Sequence, residues 1–356
     1  MSAKIILEDG TIIEGKSFGA NNTVFGEIVF NTGMTGYTEI LTDPSYAGQI
    51  VIMTYPLIGN YGINDEDKES SGIKVAGFIV KEYSQQPNHW QCKKDIDTYL
   101  KENNIPGIYD VDTRMLTKKI RNKGTMKCVI TTEEVTDKLK EQLDEFMFPT
   151  DIVEKVSRDN IIHIKGSGNK IGVIDLGVKD GIIKQLKNLN CDIYVFPHDI
   201  ISQEIIKYDL DGVLFSNGPG NPKDAIIPIR TVKELLGKIP IYGICLGHQV
   251  IALALEADTY KLKFGHRGSN HPVIDTRTNK VFMTSQNHGY AVLESSFTDD
   301  MEKTFVNVND ETIEGFCCKK YNIATVQFHP EEGPGPEDSH YIFNEWFGIK
   351  QGVNIL

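Results

Sequence analysis

Between Lys170 and Ala254, short apolar runs alternate with amphipathic ones at a pitch that leaves few folds open. KIGVID (170–175), CDIYVFP (191–197), DGVLFS (211–216) and IPIYGI (239–244) are apolar and rich in β-branched residues, as buried strands are. Between them, VKDGIIKQLKNLN, QEIIKYD and IPIRTVKELLG have helical character, with Ile182, Ile183, Leu186 and Leu189 on the inward face of the first. Repeated β–α units of this length predict a parallel sheet with helices on both faces. Ligand sites in such sheets lie at the carboxyl ends of the strands. Two stretches fall there: SNGPGNP (216–222) after the third strand and GICLGHQ (243–249) after the fourth.

GICLGHQ is followed by VIALALEA, a helix-forming run, so Cys245 sits at a strand-to-helix turn with Gly243 and Gly247 two residues away on either side. That is the spacing of the G-x-S-x-G nucleophile elbow, with sulfur in place of oxygen. The glycines tolerate a strained backbone and let helix and strand approach closely, while the helix N-terminus favours a thiolate. An isolated Cys between glycines can equally be a small buried residue. In the preceding loop, NGPG can be a plain turn. Alternatively, N–H groups near Gly218 and Gly220, with that of Leu246, would stabilise an oxyanion on an acyl group attacked by Cys245.

A thiol nucleophile needs a base. His248 lies within the elbow helix and is expected to help that helix pack. ATVQFHPE is expected to be a strand ending at His329, Pro330 and Glu331, and residues two apart in extended chain point to one side. His329 and Glu331 can then share a face, the carboxylate orienting the imidazole that activates the thiol. HPE on its own can also be a strand end entering a loop. His266, His271 and His288 follow no regular ligand spacing, so no metal is expected. QNHGY (286–290) reads as a polar turn suited to recognising a small polar substrate.

The first half carries no catalytic constellation. KIILEDGTIIEGKSFG reads as a hairpin about Asp9-Gly10, and VFGEIVFN, GQIVIMTYP and VAGFIVKEY as further strands. NTGMTGY and TDPSYAG read as turns, and three helical patterns follow, at DIDTYLKEN, at TRMLTKKIRNKG capped by Asp112, and at TEEVTDKLKEQLDEF. Strands first and helices after predict an α+β domain. IHIKGSGNK (162–170) reads as a linker or domain seam. At 356 residues two domains are expected, and a net charge of −12 argues against a nucleic-acid surface. No run is long enough to span a bilayer, MSAKIILEDG does not read as a signal peptide, and the six cysteines follow no disulfide spacing. A reduced, cytoplasmic protein is expected.

Taken together, GICLGHQ, SNGPG and FHPE resemble the class I (triad) glutamine amidotransferase domain. FNTGMTGYTEILTDPSYAGQIV, followed by TYPLIGNYG, resembles the amino-terminal domain of the small, glutamine-hydrolysing subunits of carbamoyl phosphate synthetase, and KFGHRGSNHPV and TSQNHGYAV match that family too. The resemblance covers essentially the whole chain. It implies an α/β fold in which a C-terminal amidotransferase domain (169–356), flavodoxin-like with a mostly parallel sheet and helices on both faces, follows an α+β domain (1–150) and a linker (151–168). By the same resemblance Cys245 is the nucleophile, His329 the acid/base and Glu331 its partner. Contacts to L-glutamine fall on Ser45, Gly218, Gly220, Leu246, Gln249, Asn287, Gly289 and Tyr290; the last is a phenylalanine in some relatives, but its expected contact is through backbone. The partner implied is a large subunit, forming a heterodimer, to which ammonia passes internally. ATP and magnesium are expected there, with no cofactor in this chain, which shows no P-loop. The product is carbamoyl phosphate for pyrimidine and arginine synthesis. Two other readings are a glutaminase subunit of another synthase, which leaves residues 1–150 unexplained, and a regulatory subunit with a relic triad, which the intact Cys245, His329 and Glu331 oppose.

Overall fold

The structure, a computed structural model, describes residues 1–348; residues 349–356, the end of the expected amidotransferase domain, lie outside the described residues. The chain divides into two compact units, Met1–Pro149 and Thr150–Leu356.

The first unit is built on β1 (Ser2–Leu7), β2 (Ile12–Gly19), β3 (Val24–Asn31), α1 (Tyr37–Thr42), β4 (Gln49–Met53), β5 (Leu57–Ile58), β6 (Gly77–Ile79), β7 (Glu82–Tyr83), α2 (Ile96–Glu102), β8 (Pro106–Tyr109), α3 (Thr113–Lys123), β9 (Met126–Thr131) and α4 (Asp137–Glu145). Seven strands close into a barrel in the order β1-β2-β8-β6-β4-β3-β9. The Asp9-Gly10 hairpin forms as the sequence predicts, with Gly10 at φ +81°. Side chains of Asp95, Asp112 and Thr136 each accept a backbone N–H at the start of α2, α3 and α4. Val135 therefore precedes α4, which begins after its Thr136 cap.

The expected order of strands before helices does not hold, because β8 and β9 lie between helices. PGIY and MKCVIT are weak strand signals alone; closing the barrel edge pairs them with β2 and β6, and with β1 and β3. VAGFIVKEY splits into β6 and β7, the latter pairing with β5. The stretch from Tyr37 to Thr42, overlapping the two expected turns NTGMTGY and TDPSYAG only at its ends, forms α1 because burial of Tyr37, Ile40 and Leu41 against Phe18, Val29, Val51 and Phe78 outweighs its poor local propensity.

The second unit follows with α5 (Ile152–Val156), β10 (Ile162–Ile164), β11 (Lys170–Asp175), α6 (Asp180–Asn188), β12 (Asp192–Pro197), α7 (Ser202–Ile206), β13 (Gly212–Phe215), α8 (Ile226–Leu235), β14 (Ile241–Ile244), α9 (Leu246–Ala254), β15 (Thr259–Asp275), β16 (Lys280–Val292), β17 (Glu302–Asn307), β18 (Ile313–Cys318), β19 (Ile323–Val326) and α10 (Tyr341–Phe347). One ten-stranded sheet runs β10-β12-β11-β13-β14-β19-β18-β17-β15-β16. Its parallel core, β12-β11-β13-β14-β19, has the 2-1-3-4-5 order of the flavodoxin-like doubly wound fold. The other five strands join it antiparallel, β10 at one edge and β18, β17, β15 and β16 beyond the other.

Successive residues of the parallel strands go to opposite faces. Ile174, Phe196 and Phe215 meet Val232 and Leu235 of α8 and Val250 and Ile251 of α9 on one face. Val173, Val195 and Leu214 meet Ile182 and Leu186 of α6 and Phe343 and Phe347 of α10 on the other. Each such side chain, fully buried, contributes roughly 1.5–3 kcal/mol of transfer free energy. This two-faced burial holds the strand ends in register, and the candidate site stands on those ends.

Residues 151–168, expected as a linker, are instead structured. They hold α5 and β10, and the Gly166–Gly168 turn is packed under the start of β12: a Cβ on Gly166 would fall 2.1 Å from Cys191 O. Glycine there serves close approach, not flexibility. QNHGY, expected as a turn, belongs with GHRGSNHPV to the long β15–β16 hairpin, whose turn comes only at Thr276–Asn279. ATVQFHPE leaves the sheet at Val326, and His329 is held beyond it by a bridge to Ser285.

A candidate thiol-nucleophile site at the sheet's carboxyl edge

Cys245 joins β14 to α9 with φ 54° and ψ −103°, a conformation that costs a side-chain-bearing residue of order 1–3 kcal/mol. Its surroundings enforce it. Cys245 N–H donates to Val326 O, and Gly247 N–H to Ser216 O at 3.0 Å. A Cβ on Gly247 would lie 2.0 Å from Phe215 O, and one on Gly243 would lie 2.8 Å from Gly247 C. Helix and strand are therefore closer than any other residue at 243 or 247 allows. The thiol is buried and its Sγ–H points to Asn287 O at 3.6 Å.

The NGPG loop lies against the elbow. A Cβ on Gly218 would meet Leu176 O at 2.1 Å and Leu246 Cδ2 at 2.8 Å, and Gly220 adopts φ +89° beside Ile152. Ser216 fixes the loop from beneath, accepting from Leu176 N–H and donating to Asn217 O. Gly218 and Leu246 thus come together at adjacent strand ends, with Gly220 two residues further along the loop.

His329 and Glu331 meet although neither is in a strand. Nδ1–H of His329 donates to Glu331 Oε1 at 2.6 Å, and both residues are buried. Burial disfavours the imidazolium, but the Glu331 carboxylate, with Cys245 beside it, outweighs burial and pushes His329 up to about 10. Burial also acts against the Glu331 carboxylate, and Lys179 and His329 overcome it, holding that group at about 2. Among the described residues, His329 Nε2 makes no hydrogen bond, which leaves it for the reacting groups.

Lys179 is a member of this site that sequence reasoning did not single out. It is buried just before α6, with Nζ 3.1 Å from Glu331 Oε1 and donating to the carbonyls of Glu332 and Gly333. No local pattern marks it, because its partners lie in a distant loop.

Gln249, on the first turns of α9, donates through Nε2 to Tyr290 O at 2.8 Å and to Gln327 Oε1 at 2.9 Å, so α9 grips the strand carrying Asn287, Gly289 and Tyr290. His248 packs against Phe316 and pairs with Thr325 Oγ1. Burial lowers it to about 3, which suits a structural imidazole. Ser45 lies in the first unit, in the short Pro44–Tyr46 helix, its N–H donating to the Asp43 side chain. His266, His288 and Glu314 bring potential ligand atoms within 4.8 Å of one another, a juxtaposition assembled from three strands that spacing does not reveal. All six cysteines are free thiols, and no described helix is long and apolar enough to cross a membrane.

Comparison with known proteins places two family domains on this chain. Residues 5–130 match the carbamoyl-phosphate synthase small chain, CPSase domain, and residues 172–349 match glutamine amidotransferase class-I. The chain is 50% identical to a carbamoyl phosphate synthase small chain of Clostridium acetobutylicum, over 98% of this chain and 100% of that one. It is 51% identical to the Clostridium perfringens small chain, over 97% and 99%. A pyrimidine-specific small chain of Bacillus subtilis is 47% identical, over 97% and 95%.

Proposed function

Since the chain belongs to the carbamoyl phosphate synthase small-chain family and carries its class I amidotransferase domain, we propose that it hydrolyses L-glutamine through a γ-glutamyl thioester on Cys245 and supplies the ammonia to a large subunit. The observation that carries this is Cys245 on a strained elbow beside a buried His329–Glu331 pair. The thiolate adds to the side-chain carboxamide of glutamine, and the oxyanion forms against the Gly220 and Leu246 N–H groups. The His329 imidazolium protonates the amide nitrogen of that adduct, the C–N bond breaks, and ammonia leaves the thioester behind. Neutral His329 then takes a proton from water, whose oxygen attacks the thioester and releases glutamate and the thiol. Glu331, itself held by Lys179, keeps the imidazole aimed and its charge balanced.

The glutamine contacts proposed are Gly218, Gly220, Leu246, Gln249, Asn287, Gly289 and Tyr290, and the family resemblance adds Ser45 of the first unit. ATP and magnesium belong, in this reading, to the large subunit. There ammonia, delivered by an internal passage, meets carboxyphosphate made from bicarbonate, and carbamoyl phosphate enters pyrimidine and arginine synthesis in the cytoplasm.

The test is glutamate release by this chain alone and after adding its large subunit with bicarbonate and ATP. Stimulation with one carbamoyl phosphate formed per glutamine consumed is the expected result. Glutaminase activity indifferent to the partner would remove the assignment to carbamoyl phosphate synthesis.

A further inference from the structure

Behind the glutamine-contacting strand runs a buried polar chain that the mechanism above does not use. At its outer end Asp310, partly exposed, accepts from His266 Nε2–H at 2.8 Å. The other ring nitrogen of His266 faces Glu314 Oε1 at 3.5 Å. Glu314 is fully buried; its Oε2 accepts from Gln286 Nε2 at 2.8 Å and its Oε1 from Asn307 Nδ2 at 3.2 Å. Gln286 Oε1 then meets His288 Nε2 at 2.8 Å, and His288 Nδ1 meets Tyr290 O at 2.8 Å. Tyr290 O also accepts from Gln249, which donates to Gln327 as well. Gln327 N–H donates back to Glu314 O at 2.8 Å, closing the circuit.

The circuit has a direction because a carboxylate only accepts. Gln286 can face Glu314 with its NH2 end alone, which commits its Oε1 to accept from His288 Nε2–H; burial holds that imidazole well below its usual range, so the neutral ring has no second proton for Tyr290 O, against which its Nδ1 is packed. The orientation of the His288 ring, packed beside Tyr290 O, thus depends on the charge at Glu314. His266 supplies the counter-charge: Asp310 and Glu314 outweigh burial and push its imidazole up to about 9. A buried carboxylate without such a partner is strongly destabilising, which binds the two residues into one unit.

We propose that Glu314, with His266 and Asp310 as its counter-charge, is a positioning residue that sets the affinity of the site for glutamine by fixing the Gln286–His288–Tyr290 strand against Gln249. This rests on the glutaminase reading. Glu314 touches neither Cys245 nor His329 in any contact above, so its effect falls on binding, not on the bond-breaking steps.

The experiment measures glutamine KM and kcat for the complex with the large subunit, and Cys245 alkylation by two probes. One probe is a chloroketone analogue of glutamine and the other iodoacetamide, the sulfur displacing chloride or iodide. Glu314→Gln keeps the volume but lets the Gln286 amide turn either way. It is expected to raise KM about tenfold with kcat within about twofold, and to slow the chloroketone relative to iodoacetamide by a similar factor. Asp310→Asn, at the outer end, is expected to shift both in the same direction by about two- to threefold, and it decides the matter if Glu314→Gln does not fold. Unchanged KM and unchanged labelling ratio in the folded variants would overturn the positioning role. Wild-type protein that neither hydrolyses glutamine nor reacts with the chloroketone would instead overturn the glutaminase reading, and the positioning role with it.

Discussion

In the proposed mechanism four side chains carry the chemistry, Cys245, His329, Glu331 and Lys179, and charge ties the last three to one another. Replacing His329 with Asn removes the proton donor of the first step and the acceptor of the second. Both thioester formation and its hydrolysis are expected to slow by about 10²–10⁴-fold, read in single-turnover quench experiments; one step left at the wild-type rate would break the two-role assignment. The same pairing has a pH signature. Glu331 is depressed from 4.5 to about 2, so its stabilisation is whole above 4.5 and is lost as pH falls toward 2. His329 is raised from 6.5 to about 10, so its stabilisation is whole below 6.5 and is lost as pH rises toward 10. Denaturant midpoints of wild type and Glu331→Gln are therefore expected to differ most between pH 4.5 and 6.5 and to converge toward both extremes. The elbow at Cys245 and the His329–Glu331 pairing were legible in the sequence because a cysteine between glycines and two residues at i, i+2 are local patterns. Lys179 was not, since only the folded loop brings it to Glu331.

At the scale of elements, the elbow is a contact between backbones. Gly247→Ala would drive a Cβ to within 2.0 Å of Phe215 O, and neither β13 nor α9 can withdraw without disturbing the core between them. A loss of roughly 3 kcal/mol or more is expected, with activity lost together with stability. Gly237→Ala, where the nearest atom outside the turn is Tyr321 Cδ1 at 3.8 Å, is the control; only its φ of +71° is strained, and about 1 kcal/mol is expected. Equal costs by urea denaturation would show that close approach is not what fixes the elbow. The β11–α9 alternation was readable for the same reason that it is stable: each strand is apolar on two faces and each helix on one. The β15–β16 hairpin was not, because His266, Arg267, Gln286 and His288 are buried there as a hydrogen-bonded polar layer, and a polar run of that kind carries no period-two signal. Likewise α1 and β8 owe their form to the barrel around them.

At the scale of the whole molecule, every group assigned to bond-making and bond-breaking lies in the second unit. The described residues offer there the buried thiol and the His329–Glu331 pair that the proposed hydrolysis calls on. Making carbamoyl phosphate from ammonia is thus a separable reaction in the proposed division of labour, and separability has a direct consequence. Cys245→Ser replaces sulfur with a smaller oxygen and adds no atom, so the elbow, its glycines and the fold around them are expected to be retained. The thioester cannot form, and a serine beside His329 is a far weaker nucleophile. With the large subunit, bicarbonate and ATP, this variant is expected to make no carbamoyl phosphate from glutamine while using added ammonium at close to the wild-type rate. The two assays use one preparation and differ only in the nitrogen source, so loss of both would point to failed assembly and not to failed hydrolysis. Retained use of glutamine would mean that ammonia is released by some group other than Cys245, and the mechanism would have to be rebuilt from a different nucleophile.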